Sequence, residues 1–309
     1  MEKKSMTALV SAFARAYHAE HNTVTIFNDS VAKLLLSEQE YSQIAQSMSD
    51  GISFFAPHFV GSADDGLRFI VDHQLSPSPL ARAAYAEKAL KDAVIAGTKQ
   101  YLILAAGYDT FAYRQPEWAK ELHIFEIDHP ATAADKQGRI SNAEIAVPHN
   151  VCYLSADFSK EQWQSNILSC VEFDREKSCF CSLLGLSYYL SEPMFRVFIA
   201  TIGELIPVGS QLVFDYSDHN NEADTQTQKQ TELAAGANEA MLASYDKQEM
   251  EQLLQQCGFI ALESLTPAEI TNRFFLHYNA ANPEHPMSAF DHVNYCVAIK
   301  TRQSVSWNI

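Results

Sequence analysis

Short, continuously apolar segments alternate with helix-like segments along most of the chain after residue 97. The apolar segments span residues 100–105, 122–128, 151–156, 179–184, 211–216, 259–265 and 293–300. Strands that are apolar at every position are buried on both faces, and such strands are typical of parallel sheets covered by helices on both sides. The pattern therefore predicts an α/β fold of the doubly wound, Rossmann-like type with a seven-stranded, mostly parallel sheet.

The part of the chain before the first strand has a different character, helical and irregular, and a Ser-Pro-Ser-Pro segment at 76–79 separates it from the rest. We therefore divide the chain into an N-terminal helical cap, residues 1–79, and an α/β domain, residues 80–309, which together form one compact unit. Between the strands, helices are predicted over residues 130–141 and 159–169. Residues 218–239 are polar and poor in large apolar side chains, which is typical of a mobile inserted lid.

The charge balance restricts the partners of this chain. It carries 22 Lys+Arg against 38 Asp+Glu, a formal net charge of −16. Nucleic-acid binding needs a basic face that displaces counterions, and docking on anionic lipid needs the same sign of charge. We therefore expect no nucleic acid and no membrane as partner, but a small molecule. The sequence does not indicate an oligomeric state.

The cysteines and the first residues indicate the compartment. Six cysteines are dispersed through mostly apolar segments, which is typical of reduced core cysteines. Cys179 and Cys181 form a lone C-x-C, too little to predict a metal site, and none is expected. The N-terminal segment superficially resembles a signal peptide, but Arg15 interrupts its apolar part, and no stretch approaches the length of a membrane span. A cytoplasmic protein is the expectation.

Acidic side chains follow the second and third predicted strands, at the edge of the sheet where ligands bind in doubly wound folds. The second strand ends in Glu126 and Asp128, and the third is followed by Asp157 and Phe158. A carboxylate can accept hydrogen bonds from both hydroxyls of a ribose. An acid with an adjacent aromatic ring can hold an adenine. Each acid alone is also typical of a solvated strand end, but their co-occurrence indicates an adenosine pocket.

The scarcity of glycine separates the two common adenosine ligands. A dinucleotide requires a G-x-G-x-x-G turn whose N–H groups approach a pyrophosphate. Only Gly107 is present after the first strand, in a chain with 11 glycines in 309 residues, and Asp109, two residues later, would repel phosphate. S-adenosylmethionine carries a sulfonium and no phosphate, so carboxylates are tolerated. The pattern favours methyl transfer, and a dehydrogenase is the more distant alternative.

Two longer segments carry a specific resemblance. YLILAAGYDTFAYR, from residue 101, and HIFEIDHPATAADK, from residue 123, are similar to the "GAG-x-DTR" and "FEVD-x-P" segments of the leucine carboxyl methyltransferase family. The chain most resembles its bacterial branch of S-adenosylmethionine-dependent O-methyltransferases, some of which act in polyketide tailoring. The resemblance covers nearly the whole chain. It implies a class I methyltransferase fold, S-adenosylmethionine as cofactor, and transfer of its methyl group to an oxygen of a small acidic metabolite.

The resemblance also implies site residues. Arg82 would pair with the methionine carboxylate of the cofactor, and Gly107 with Ala105 would form the turn that approaches it. Asp128 would hold the ribose, with Glu126 supporting the turn, and Asp157 and Phe158 would bind the adenine. The implied or candidate acceptor-side residues are Arg15, Tyr188, Tyr189, Tyr216 and Arg273. The competing interpretation of these tyrosines is burial in the core.

Three positions depart from the family pattern. Ala105 replaces the first glycine of the turn, Phe111 replaces the arginine of "DTR" although Arg114 keeps a nearby positive charge, and Leu184 stands where the family often has glutamate. They motivate an alternative function, a non-catalytic relative that binds the cofactor weakly.

The sequence assigns no catalytic residue. A carboxylate acceptor is already ionised at neutral pH and needs no general base. A hydroxyl acceptor would need one, and His129 and His219 lie near predicted strand ends, although both are also typical of surface histidines.

Overall fold

The computed structural model describes residues 5–219 and 242–301. Of the predicted insertion 218–239, residues 220–239 lie outside these ranges. Within the described ranges, no helix combines the length and apolar character needed to cross a membrane.

The N-terminal helices form a layer with its own core. Helix α1 (Met6–His21) begins at Ser5, whose hydroxyl accepts the N–H of Ala8 at 3.2 Å. Its apolar residues recur at helical spacing and are buried together with residues of the following helices. This layer also comprises a 3₁₀ helix (Ala32–Leu35), α2 (Glu38–Asp50), α3 (Ile52–Phe55), α4 (Ala63–Ile70) and a π-helical turn (Val71–Leu75).

The core of these helices is continuous with the α/β part, since Tyr108 and Ile140 are members of the same buried cluster. Helix α5 begins at Pro77, at the position where proline fits the first helical turn, and ends at Ile95. The predicted break at 76–79 is therefore a helix start. The division into 1–79 and 80–309 remains a prediction.

Seven strands within the described residues form one sheet. They are β1 (Gln100–Leu104), β2 (His123–Asp128), β3 (Val151–Ser155), β4 (Cys179–Leu183), β5 (Gln211–Ser217), β6 (Phe259–Leu265) and β7 (Val293–Lys300). Their order is β3-β2-β1-β4-β5-β7-β6, and β7 runs antiparallel to both its neighbours while the first five strands are parallel. The predicted α/β class and mostly parallel sheet are confirmed.

Helices cover both faces of this sheet. They are α6 (Pro130–Asn142), α7 (Ser165–Leu168), α8 (Glu192–Leu205), α9 (Lys247–Gln256), α10 (Pro267–Ile270) with the π-helical turn Thr271–Phe275, and α11 (Leu276–Ala281). Short 3₁₀ helices span Phe111–Tyr113, Glu117–Ala119 and Ser187–Tyr189. Alternate residues of β1 belong to different buried clusters, Tyr101 with α5 on one face and Leu102 with α8 and α9 on the other. This double burial explains the continuously apolar strands.

The helix predicted over 159–169 is much shorter than expected, because only Ser165–Leu168 is α-helical. The side chain of Asp157 accepts hydrogen bonds from the N–H and the hydroxyl of Ser159 at 3.0 and 2.6 Å. This side-chain turn competes with a helix start directly after β3.

A buried histidine of α1 makes the stability of this fold pH-dependent. Nε2 of His18 accepts the N–H of Ile26 at 2.9 Å, and the side chain is 1% exposed. Burial, and secondarily the charge of Arg68, lower the pKa of His18 to about 4. Because the folded pKa lies below the unfolded value, this contribution to stability is complete above about pH 6.5 and is lost as the pH falls toward about 4.

We expect the loss to reach about 3 kcal/mol of unfolding free energy at acidic pH. Urea unfolding at several pH values between 7 and about 4 measures it. His18→Gln keeps an acceptor for Ile26 but does not titrate, so its stability should fall less steeply over the same pH range. Equal slopes for the variant and the parent chain would contradict this assignment.

Candidate active site

A cavity of about 970 Å³ lies at the carboxyl ends of β1 and β4, where the strand order reverses. Such a switch point is where doubly wound folds bind ligands, and the volume is within the range of about 300–1,000 Å³ that cofactor sites occupy. Helix α1 contributes to the wall. Residues that line the cavity include Thr7, Ala8, Arg15, Phe27, Asp29, Arg82, Ala105, Gly107, Asp109, Arg114, Asp128, Leu184, Gly185, Tyr188, Tyr189 and His292.

The turn after β1 has an unusual backbone. Ala105 has φ +53° and Gly107 has φ +51°, both in the left-handed region. A Cβ at Gly107 would lie 3.3 Å from the methyl group of Ala8, so α1 packs directly on the turn. Alanine in the left-handed conformation costs roughly 1 kcal/mol relative to glycine. The family's glycine is therefore missing at a position where the backbone favours it.

Asp128, at the end of β2, is tied to this turn. Its Oδ2 accepts the N–H of Gly107 at 2.5 Å, and its Oδ1 accepts the N–H of His129 at 2.6 Å. Burial raises the pKa of Asp128, while the two N–H groups act in the opposite direction. Each carboxylate oxygen retains a second lone pair, so the side chain can accept two further hydrogen bonds from a ligand in the cavity.

Arg82, on α5, is held by a buried carboxylate. Its Nη1 lies 3.2 Å from Oδ2 of Asp215, a fully buried residue of β5. The carboxylate of Asp215 also accepts the N–H of Gly185 at 2.7 Å, through Oδ1, and the hydroxyl of Tyr188 at 2.9 Å, through Oδ2. A Cβ at Gly185 would lie 2.5 Å from Nη1 of Arg82. The glycine is therefore required for the guanidinium to reach this position beside the cavity.

A second network joins the helical cap to the turn. Nε of Arg15 lies 2.8 Å from Oδ2 of Asp29, and its Nη2 donates to the carbonyl of Tyr108 at 2.6 Å. Oδ1 of Asp29 accepts the hydroxyl of Thr110 at 2.7 Å and lies 3.5 Å from Arg114. Burial alone would raise the pKa of Asp29, but Arg15 and Arg114 hold it below its ordinary value. Arg15 therefore borders the cavity as part of an ion-pair network.

The predicted cofactor residues are only partly brought together. Arg82, Ala105, Gly107 and Asp128 line the cavity. Asp157 instead lines a separate depression of about 200 Å³ beside Pro130. The ring of Phe158 packs against Trp163 and Phe198, each at 5.2 Å between centroids. Neither residue lines the cavity, so their adenine role stays a prediction that this arrangement does not support.

The predicted acceptor residues divide in the same way. Tyr188 and Tyr189 line the cavity, although the hydroxyl of Tyr188 is used by Asp215. Tyr216 is buried in the core. Arg273 pairs with Glu263 of the edge strand β6 at 2.8 Å and does not line the cavity. Its substrate role stays a prediction that this arrangement does not support, because its guanidinium pairs with Glu263 outside the cavity.

Three more residues singled out in the sequence, Glu126, Phe111 and His129, each have a partner within the protein. Glu126 forms a buried pair with Lys136 at 2.8 Å. Phe111 is buried against Tyr101 in the core rather than in the cavity. His129 caps α6 by accepting the N–H of Ala131 at 3.3 Å.

The structure also reveals residues that sequence reasoning missed. His219 pairs with Glu249 at the surface, whereas His292, which is 4% exposed, lines the cavity next to the start of β7. Asp29 and Asp215 organise the two arginine networks. Asp215 carried one readable signal, an acid inside an apolar strand. His292 and Asp29 carried none, since they lie in irregular segments and neither follows the carboxyl end of a parallel strand.

Known proteins have sequences similar to that of this chain. The model of the leucine carboxyl methyltransferase family matches residues 8–203. The Bacillus subtilis protein YktD, by its name a candidate S-adenosyl-L-methionine-dependent methyltransferase, is 37% identical over 306 residues, which cover 96% of this chain and 98% of its own. A candidate methyltransferase with the same cofactor in its name, from Mycolicibacterium smegmatis, is 25% identical and covers 84% of this chain and 81% of its own.

Solved structures share the fold at lower identity. A DUF574 family protein from Streptomyces avermitilis has a TM-score of 0.60 and 15% identity, with 94% of this chain and 97% of its own covered. A candidate methyltransferase from Thermobifida fusca has a TM-score of 0.58 and 14% identity, with 97% and 96% covered. Together with the turn, the acid after it and the sheet order, the sequence matches establish that the chain belongs to the leucine carboxyl methyltransferase family.

Proposed function

We propose that the protein transfers the methyl group of S-adenosylmethionine to an oxygen, first of all a carboxylate oxygen, of a small acidic metabolite. The methyltransferase class and its cofactor follow from the family. The observation that carries the proposal is the cavity at the ends of β1 and β4, in which Asp128 and the Gly107 turn meet. The net charge of −16 supports a small-molecule acceptor and disfavours nucleic acid and anionic membranes.

The lining residues fit this cofactor by their chemistry. Asp128 has the lone pairs to accept both hydroxyls of a ribose, and Gly107 permits close approach of the backbone. Arg82 has N–H donors beyond those directed at Asp215, which a methionine carboxylate can use. The carboxylate of Asp109 beside the turn tolerates a sulfonium but would repel a pyrophosphate, and the turn lacks the G-x-G-x-x-G pattern that a pyrophosphate requires. A dehydrogenase is therefore disfavoured.

The contribution of the chain to catalysis is alignment. When bound, S-adenosylmethionine would supply a methyl group on a sulfonium, whose sulfur is a good leaving group because it departs as a neutral thioether. The cavity walls would hold the acceptor oxygen in line with that methyl group, and the residues of α1 that line the cavity would limit the access of water. Alignment of this kind can supply several kcal/mol, up to about 7–11 kcal/mol in the best-oriented intramolecular reactions.

The description of the family supports a carboxylate acceptor. A carboxylate is ionised at neutral pH, so the step requires no base. A hydroxyl acceptor would need one, and His292 lines the cavity. Loss of a general base typically lowers turnover about 10²–10⁴-fold, so His292→Gln distinguishes the two chemistries for any acceptor that is found.

The experiment is an acceptor screen that follows formation of S-adenosylhomocysteine with panels of small carboxylic acids and of phenols. We expect turnover with acids, and a product that releases methanol in alkali, as a methyl ester does and a methyl ether does not. Turnover confined to phenols, with an alkali-stable product, would overturn the carboxylate assignment. Absence of calorimetric heat with both S-adenosylmethionine and S-adenosylhomocysteine would overturn methyl transfer itself.

The non-catalytic alternative has one specific observation in its favour, the strained Ala105 together with Leu184 in the cavity wall. For a relative that has lost cofactor binding, the double variant Ala105→Gly/Leu184→Glu should bind S-adenosylhomocysteine when the parent chain does not. Turnover of S-adenosylmethionine by the parent chain excludes this alternative.

A further inference from the structure

Three metal-ligand side chains meet at the opposite end of the sheet from the cavity. Cys152 is the second residue of β3, the edge strand, so it lies near the amino end of the parallel strands. Cys170 and Glu172 follow α7 in the chain. This group was not predicted, because Cys152 and Cys170 lie 18 positions apart and lack the close spacing of common metal motifs.

The geometry of the group is close to that of a metal site. One ligand atom from each of Cys152, Cys170 and Glu172 lies within 4.8 Å of the other two. The thiol of Cys170 donates to Oε2 of Glu172 at 3.2 Å. Around a tetrahedral zinc ion, with bonds of about 2.0–2.3 Å, neighbouring donors are separated by roughly 3.5–4 Å. Small side-chain rotations therefore bring these three donors to ligating distance.

We propose that Cys152, Cys170 and Glu172 bind a thiophilic divalent cation of the zinc type. Two thiolates select such an ion over magnesium or calcium, which prefer oxygen ligands. Both thiols give up their protons to solvent when the ion binds. The fourth position is filled by water or by His123, which is on the same sheet face as Cys152 because Phe125, two residues later, is the register partner of Cys152.

The ion would have a structural effect. It joins the edge strand β3 to the segment after α7, and so closes the chain segment 152–172, which contains the Asp157 turn. Since the site is remote from the cavity, this inference does not depend on the proposed methyl transfer.

Cobalt(II) and zinc titrations of the reduced, chelator-treated full chain test the proposal. We expect one equivalent of cobalt to give the visible absorption of a tetrahedral ion and a sulfur-to-metal charge-transfer band, both displaced by zinc. Zinc should also raise the thermal unfolding midpoint. Since loss of an outer-shell partner alone typically weakens metal affinity about 10–100-fold, Cys152→Ser and Cys170→Ser should each weaken it at least about 10-fold and reduce the charge-transfer band.

Two variants control for misfolding. Cys257→Ser changes a buried thiol that donates to the carbonyl of Arg196, outside the proposed site, and it should leave the spectrum unchanged. Glu172 is exposed, so Glu172→Gln tests a ligand without disturbing the core. The proposal is overturned by absence of the charge-transfer band, by a band that survives in Cys152→Ser/Cys170→Ser, or by zinc binding at millimolar concentration only.

Discussion

Replacing Asp128 with alanine should weaken binding of S-adenosylhomocysteine by about 10²–10³-fold. The carboxylate is expected to accept both ribose hydroxyls, and a hydrogen bond to a charged group contributes about 1.5–3 kcal/mol. The Asp128 carboxylate also accepts the N–H groups of Gly107 and His129 and so holds the turn in place. The substitution removes this acceptor as well. Isothermal calorimetry of the parent chain and the variant measures the change.

Two controls separate this role from a general effect of charge. Asp128→Asn keeps the shape and one carbonyl acceptor, so its loss should be smaller, about 10-fold. Asp92→Ala removes an exposed carboxylate of α5 that pairs with Lys88, and it should not change the affinity. An affinity of Asp128→Ala within about three-fold of the parent chain, a difference of less than 1 kcal/mol, would refute the ribose assignment.

The sequence predicted the parts of this site that lie on strand ends. Burial on both faces makes each strand of the parallel sheet visible as an apolar run, and the end of the run places Gly107 and Asp128 at one edge. Asp128 was found in this way because its position follows from the strand boundary, not from its partners.

The parts that depend on contacts distant in sequence could not be predicted. Asp215 holds Arg82 across 133 positions, and Arg15 donates to the carbonyl of Tyr108 across 93 positions. Such pairings follow from the packing of whole elements, which local patterns do not encode. At Asp157 the decisive interaction is local, a turn with Ser159. An aspartate two residues before a serine is typical of a side-chain turn, and here this turn forms where the sequence predicted the start of a helix.

Removal of the Asp215 carboxylate should be the most destabilising change near the cavity. Asp215→Ala leaves the guanidinium of Arg82 without its buried counter-charge, and the side chain of Arg82 is only 19% exposed. It also leaves the Gly185 N–H and the Tyr188 hydroxyl without their acceptor. Breaking a buried pair from one side typically costs about 3–5 kcal/mol, and urea unfolding should show a loss of this size.

A set of paired substitutions distinguishes charge from packing at this site. Asp215→Asn removes the charge but keeps one carbonyl acceptor, for either the Gly185 N–H or the Tyr188 hydroxyl, so it should lose less stability than Asp215→Ala. Arg82→Met/Asp215→Leu removes both charges and should recover part of the stability, since two apolar groups need no compensation. Its affinity for S-adenosylhomocysteine should nevertheless stay low, because the methionine carboxylate has lost Arg82. A loss below about 1 kcal/mol in Asp215→Ala would show that the Arg82 charge is compensated by solvent instead.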